Sequence, residues 1–434
     1  MNNIKWYSTT EKSHWQELTY APSGEKTVSD IQIGTESAQT IDGFGACFNE
    51  LCEIALEQLP KEAHEEVMDL LYDPSADGLR LNFCRMPIGA SDYAAKWYSY
   101  NETDGDYAME HFSIDGDRKY LLPMIRSAYS RGGDIKLFAS PWSPPSWMKD
   151  PPVYNFGRLV DSDENLAAYA LYLARFTEAY EKEGIHIDAV HVQNEPFADQ
   201  KFPSCLWTGE LFVKFIGKYL GPTFKKRGIT TKIFLGTINS ETAESYDKYV
   251  NAVLTDPDAS SYVEGIGMQW MSRYMVPFVQ ESWPEVYTVQ TENECGDGNN
   301  DWDYAKYIFN LFRHYLTYGV RAYTYWNPVL ANGGMSTWGW RQNSMISVAD
   351  GHYTLNHEYY VMKHFSRFIK RGAVRIPLHG HWTSDTAAFR NPDGQIVVVT
   401  QNPFEKAHTV HMQIGEERYD ISLPADSINT LVIG

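Results

Sequence analysis

The stretch 'DENLAAYALYLARFTEAYEKEG' (163–184), followed by 'AVHVQNEP' (189–196), decides how this chain folds. The first part repeats apolar residues near 3.6-residue spacing, has an acidic start in 'DSDENL' and reaches a glycine at 184, which predicts a helix over 165–183. The second is a short apolar, β-branched run that stops at Pro196, the pattern of a buried strand. The same texture recurs on both sides. 'IDGFGACF' (41–48), 'GLRLNFCRMPIG' (78–89) and 'IKLFASPWS' (135–143) precede it; 'KIFLGTIN' (232–239), 'VEGIGMQW' (263–270), 'EVYTVQTENE' (285–294) and 'VRAYTYWNP' (320–328) follow. Helical patterns such as Tyr304 to Tyr318 separate them. Strands alternating with helices pair in parallel through right-handed crossovers, and eight units are what a (β/α)8 TIM barrel needs. A doubly wound open sheet competes, but no GxGxxG follows the first strand.

The chain ends read differently. 'TAAFRNPDGQIVVVTQNP' places a Pro392–Asp393–Gly394 turn between two apolar runs, and 'HTVHMQI' and 'YDISLPADSINTLVI' continue as short strand candidates. 'KWYSTT', 'WQELTY' and 'TVSDIQIG' near the start have the same character. The expectation is one side β-sandwich built from both ends: 1–38 as N-terminal strands, 39–364 as the α/β barrel, 365–434 as the C-terminal part.

With 434 residues, 43% hydrophobic and 14% aromatic, the chain can bury a large core. A formal charge of −19 argues against a nucleic-acid partner, since a polyphosphate groove needs clustered Lys and Arg. The five cysteines (Cys47, Cys52, Cys84, Cys205, Cys295) are odd in number and lack CxxC spacing, so they read as buried, reduced thiols. 'MNNIKWYSTTEKSHWQ' lacks the apolar stretch of a signal peptide, and no run reaches transmembrane length. The expectation is a cytoplasmic protein without membrane insertion, or a secreted one if a leader was removed.

In a TIM barrel, reactive groups sit at the C-terminal ends of the strands. Here the second strand ends at Arg85 with Asp92 just after, and the third in 'SPWSPPSW' with Trp142 and Trp147. The fourth ends in Asn194–Glu195, the sixth in Gln269–Trp270, the seventh in 'TENE' with Glu292 and Glu294, and the eighth in Trp326–Asn327. No set with metal-ligand spacing joins them, so no metal and no cofactor is expected. Two carboxylates across a barrel mouth, among indole faces, point to glycoside hydrolysis. In a retaining mechanism they stand about 5 to 5.5 Å apart, one as acid and one as nucleophile. The acid then needs a pKa raised by burial and by its anionic neighbour. Arg85 would hold the nucleophile ionised, the indoles would floor the sugar, and Asn194 would bond a hydroxyl. Taken singly, each feature has a plain reading: a strand-end turn, a solvated acidic loop, core tryptophans, a buried ion pair. Gly43 and Gly45 read as a tight turn, and His352 and His357 as loop histidines. The combination on matching strand ends shifts the balance.

The motifs 'LNFCRMPIGASDY' (81–93), 'LFASPWSPPSWMK' (137–149), 'VHVQNEP' (190–196), 'TENECG' (291–296), 'YTYWNPVL' (323–330) and 'HFSRFI' (364–369) together resemble glycoside hydrolase family 30, the family of lysosomal glucosylceramidase. The resemblance covers nearly the whole barrel. It implies retaining hydrolysis of β-glycosides on a (β/α)8 barrel with a side sandwich. It also implies that Glu195 is the acid/base, that Glu292 is the nucleophile, and that Arg85, Asp92, Trp142, Asn194, Trp326 and Asn343 line the glycone pocket. Two departures stand out. Relatives carry His-Trp-Tyr where this chain has Gln269–Trp270–Met271, so the hydroxyl that helps hold the nucleophile is missing unless Tyr274 replaces it. Glu294 is a rival nucleophile, since strand alternation would point it to the same side as Glu292; the Thr-Glu pairing favours Glu292.

These readings converge on a retaining β-glycosidase acting on neutral sugars, with β-glucosides expected and Trp270 among the pocket residues. Asp92, as a carboxylate taking two hydroxyls, favours an enclosed exo-type pocket. β-1,6-Glucanase or β-xylosidase activity, or a catalytically inactive carbohydrate-binding protein, are the alternatives.

Overall fold

The computed structural model describes residues 4–20, 29–240 and 242–434. Eight parallel strands form the barrel: Gly43–Ala46, Phe83–Ile88, Lys136–Pro141, Ala189–His191, Lys232–Ile238, Val263–Gln269, Tyr287–Glu292 and Ala322–Tyr325. From the second to the eighth, each pairs with the next in sequence, and the eighth returns to the first with Ala322 opposite Gly43. The ring closes between the first and second strands, where Asn82 N–H donates to Phe44 O (2.8 Å) and Phe48 N–H to Arg85 O (2.8 Å). Gly45 stands at this seam because a Cβ there would lie 1.7 Å from Phe83 O. Gly43 and Gly45 therefore serve close strand approach inside the barrel, where the sequence reading placed a tight turn.

The helix opened by the acidic start spans Asp163–Lys182; Ser162 caps it by accepting from Asn165 N–H, and Gly184 follows in the left-handed region (φ +75°). Its apolar face lies on the barrel, with Leu166, Tyr169, Leu173 and Phe176 fully buried. Asp301 caps Trp302–Thr317 in the same way, through Tyr304 N–H. Inside the barrel, Phe83, Phe138, Ala189, Phe234, Val289 and Ala322 form one apolar layer. Polar side chains near the C-terminal strand ends, Arg85, Ser140 and Gln269 among them, are buried as well.

Both ends of the chain do enter one β-sandwich. Ile4–Thr10 runs antiparallel to Ser427–Ile433, Ile4 opposite Ile433, within a six-stranded sheet. Ile31–Ile33 joins His408–Ile414 in the four-stranded sheet. Trp6, Ile31, Trp382, Val398, Met412 and Leu431 form the core between the sheets. 'TVSDIQIG' falls partly outside the described residues; its described part holds the Ile31–Ile33 strand. The turn at Gly394 (φ +87°) joins Thr386–Arg390 to Ile396–Asn402 as read from the sequence. His357–Ser366 docks the barrel on the sandwich: the His364 ring lies between Thr9 and Thr430 hydroxyls, each at 2.9 Å, and burial pushes its pKa down to about 3. His357 thus opens a helix and His352 a hairpin strand; neither belongs to a loop. All five cysteines are free and buried. Among the described residues no helix is long and apolar enough to cross a membrane.

Candidate active site

The fourth strand loses regular pairing after His191, yet its backbone stays tied to its neighbours. Asn194 N–H donates to Pro141 O (2.8 Å) and Glu195 N–H to Thr237 O (3.0 Å). Glu195 sits at φ +47° and Trp270, just past the sixth strand, at φ +49°. Left-handed backbone is costly for non-glycine residues and persists where the surroundings over-determine it. At both positions it turns the side chain out of strand alternation and over the barrel mouth.

Arg85 is fully buried and ties the site together. Its Nε and Nη2 donate to Ser140 Oγ (3.0 and 2.7 Å), Nη2 also to Asn194 Oδ1 (2.6 Å), and Nη1 to Glu292 Oε2 (2.7 Å). The guanidinium also lies over the Trp142 and Trp326 rings, 4.5 and 5.5 Å from their centroids. Because Arg85 can only donate, Asn194 Oδ1 must face it, and Thr237 Oγ donates to the same oxygen (3.1 Å). The Asn194 amide nitrogen is left facing the cavity.

Gln269 joins the two acids. Its Oε1 accepts from Thr291 Oγ (2.8 Å) and Arg85 Nη1 (3.4 Å), so its Nε2 turns the other way, to Glu195 Oε1 (3.0 Å) and Glu292 Oε2 (3.1 Å). Two oxygens sharing one nitrogen at these distances lie at most about 6.1 Å apart. Trp270 Nε1 donates to the other Glu292 oxygen (2.9 Å). Burial raises the pKa of both acids, but their surroundings differ. Burial, then the charge of Glu292, pushes Glu195 up to about 8, with Gln269 the one side-chain donor to it among the described residues. At Glu292, Arg85, Trp270 and Gln269 all oppose the upward push of burial.

The cavity over these groups has a volume of about 350 Å³. Asp92, Trp142, Asn194, Glu195, Trp270 and Glu292 line it. Phe197, Phe202, Trp338 and Trp340 wall it as well, with Phe202 and Trp338 in contact at 5.0 Å. Asp92 has its carboxyl pushed well above the usual range by burial and by Glu292 and Glu195. The charge-assisted contact expected of Asp92 is thereby weakened: its carboxyl is driven toward the neutral acid, which both donates and accepts.

The chain matches two family models: the glycosyl hydrolase family 30 TIM-barrel domain over residues 41–369 and the glycosyl hydrolase family 30 beta sandwich domain over 372–431. The chain belongs to glycosyl hydrolase family 30. As a member it is a glycoside hydrolase, and its substrate is a carbohydrate. It is similar to the lysosomal acid glucosylceramidase of Mus musculus, 26% identical over 91% of this chain and 82% of that one. It is likewise similar to an endo-1,6-beta-D-glucanase of Aspergillus fumigatus, 26% identical over 94% and 87%. The solved structure of SrfJ from Salmonella typhimurium shares the fold, with a TM-score of 0.90 at 22% identity over 100% and 99% of the chains.

Within this family 30 barrel, seven of the nine residues singled out from the sequence meet around one cavity: Arg85, Asp92, Trp142, Asn194, Glu195, Trp270 and Glu292. Trp326 stands behind, stacked on Trp142 at 5.4 Å with its ring fully buried. Asn343 does not reach the cavity; its amide is spent on Glu358 Oε1 (2.8 Å) and Gly298 N–H (2.7 Å). Its neighbour Gln342 lines the cavity instead. Glu294 turns away to Arg273 and Tyr307 OH (2.6 Å), because the strand ends at Glu292 and alternation does not extend past it. Tyr274 is half exposed and bonded to Arg273 (3.1 Å), so the donor on the nucleophile candidate is the Trp270 indole. Gln269 was visible as a strand-end amide, and its role as a bridge appears only in three dimensions. Among the described residues no cluster of His, Cys, Asp and Glu could hold a metal ion.

Proposed function

We propose that this chain hydrolyses β-linked neutral sugars, β-glucosides foremost, by double displacement with Glu195 as acid/base and Glu292 as nucleophile. The observation that carries the reading is the Gln269 bridge. It gives Glu195 Oε1 and Glu292 Oε2 one shared donor, at 3.0 and 3.1 Å, and so draws the two carboxyls toward the close pairing that a retaining mechanism uses. The electrostatic contrast supports the roles. Glu195, pushed up to about 8, keeps its proton for the leaving oxygen. At Glu292, Arg85 and Trp270 donate to the carboxyl and favour its ionised form against burial, the form that attacks the anomeric carbon. Once the leaving group departs, Glu195 is the base that activates water against the glycosyl–Glu292 ester.

A second reading, endo action on a β-1,6-glucan, draws support from the aromatic walls of the same cavity. Phe197, Phe202, Trp338 and Trp340 offer apolar faces where a leaving group longer than one unit would lie, and the Aspergillus fumigatus relative is named for that activity. An inactive sugar-binding protein fits less well, because both carboxyls and their supporting donors are in place.

The test is labelling with a 2-deoxy-2-fluoro-β-glucoside followed by peptide mapping, alongside a panel of aryl β-glucosides, aryl β-xylosides and β-1,6-linked glucans. A covalent adduct on Glu292 is expected. An adduct on Glu294, or release of the inverted anomer first, refutes the mechanism; turnover of xylosides alone refutes the sugar.

A further inference from the structure

A second polar chain reaches the cavity from outside the catalytic pair. Ser91 Oγ accepts from Tyr93 N–H (3.1 Å) and donates to Asn49 Oδ1 (2.9 Å). Asn49 Nδ2 donates to Asn327 Oδ1 (3.0 Å), and Asn327 Nδ2 donates to Gln342 Oε1 (2.9 Å). All four side chains are almost completely buried. The direction of the chain is defined along its length. With its oxygen accepting from the backbone, Ser91 has its hydrogen free for Asn49 Oδ1, and each amide then passes its NH2 to the next carbonyl oxygen. The Cys52 thiol, 3.8 Å from Asn327 Oδ1, agrees with an oxygen there. The last group, Gln342 Nε2, has no protein partner among the described residues. It is not among the buried orphans, and Gln342 is only 1% exposed, so the space open to this nitrogen is the cavity that Gln342 lines.

We propose that Gln342 is a specificity-determining residue of the sugar site, its Nε2 donating to a ring hydroxyl of the glycone. It complements Asp92, the residue next to Ser91 in the chain and an acceptor in either protonation state. A hydroxyl both accepts and donates, so a buried donor and a buried acceptor lining one cavity select hydroxyl-bearing sugar and reject positions that lack the oxygen. The fixed carbonyl contact with Asn327 keeps Gln342 from turning its amide to suit another group. This inference rests on reading the cavity as the glycone site, and it is independent of which sugar is preferred.

The experiment takes as parent whichever aryl β-glycoside is turned over fastest in the panel above, so a wrong sugar assignment changes the parent and leaves the test standing. kcat/KM is measured for the parent and each of its monodeoxy analogues, in the wild-type protein and in Gln342→Leu. The expectation is that one analogue loses about tenfold or more in the wild type, and that this loss shrinks to about twofold in the variant while the other analogues keep their ratios. Gln342→Glu, which keeps the acceptor for Asn327 and loses the donor when ionised, repeats the measurement if Gln342→Leu does not fold. A uniform loss on parent and analogues alike, or unchanged ratios in both variants, overturns the proposal and leaves Gln342 a structural residue.

Discussion

Trp270→Phe isolates one hydrogen bond on the proposed nucleophile. The substitution keeps an aromatic ring in the position that faces Trp340, 6.3 Å away, and removes the indole N–H that reaches Glu292 Oε1 at 2.9 Å. A hydrogen bond to a charged group is worth about 1.5–3 kcal/mol, which corresponds to about 1–2 pH units at 1.36 kcal/mol per unit. Arg85 and Gln269 remain on the other oxygen, so the lower end applies, about one unit. The sign follows from the form that is stabilised: the N–H favours the carboxylate, so its loss raises the pKa of Glu292. Attack needs the ionised form. The acid limb of kcat/KM therefore moves to higher pH by about one unit, and activity well below that limb falls about tenfold. The limb belongs to the coupled carboxyl pair, so the quantity to read is the difference between variant and wild type across a full pH profile. Equal melting temperatures would exclude unfolding as the cause. An acid limb that stays in place or moves down refutes the role of the indole.

Glu195→Gln is expected to lose about 10²–10⁴-fold on glucosides with poor leaving groups and far less on activated aryl leaving groups; equal losses on both would remove Glu195 from the acid role. In the wild type, kcat/KM should fall as pH rises through about 8, where Glu195 gives up its proton, and a profile flat to higher pH contradicts this. Glu294→Gln should stay within a fewfold of wild type, because its carboxyl serves Arg273 and Tyr307 away from the cavity; loss on the scale of Glu292→Gln would reverse the nucleophile assignment. Glu358, fully buried and pushed up to about 8 chiefly by burial, holds its proton more tightly folded than unfolded. Its contribution to stability is complete below about pH 4.5 and is lost as pH rises through about 8, so Glu358→Gln should flatten the decline of Tm over that window, and an unchanged slope would count against it.

Much of the site was legible because strand ends in a parallel barrel converge wherever they occur in the chain. Glu292 ends its strand and Trp270 directly follows its own, while Arg85 lies within Phe83–Ile88 and Asn194 and Glu195 come three and four residues after Ala189–His191; periodicity located the neighbourhood of each. The sandwich was legible for a similar reason: alternation in 'HTVHMQI' and at the chain start marks strands with one buried face. What was not legible has separate causes. Alternation would aim Glu294 at the site only if the strand ran past Glu292, and it does not. The resemblance implied Asn343, but its neighbour Gln342 takes the cavity-lining place, and Trp326, also implied by it, stands behind Trp142. Tyr274, the candidate for the missing hydroxyl, bonds Arg273 instead.

By itself, then, the sequence determined the eight-fold repeat, the composite sandwich and the ring of polar strand ends, since burial patterns are local and repeat with the period of the element. Tertiary structure alone decided which oxygen meets which donor. Glu195 and Trp270 lean over the barrel mouth because their backbone is left-handed, Gln269 reaches both acids because Arg85 fixes its carbonyl, and Gln342 faces the cavity because Asn327 and Asn49 hold it there. Each of these contacts joins residues from different strands and loops, and a hydrogen bond has a direction only once both partners are in place.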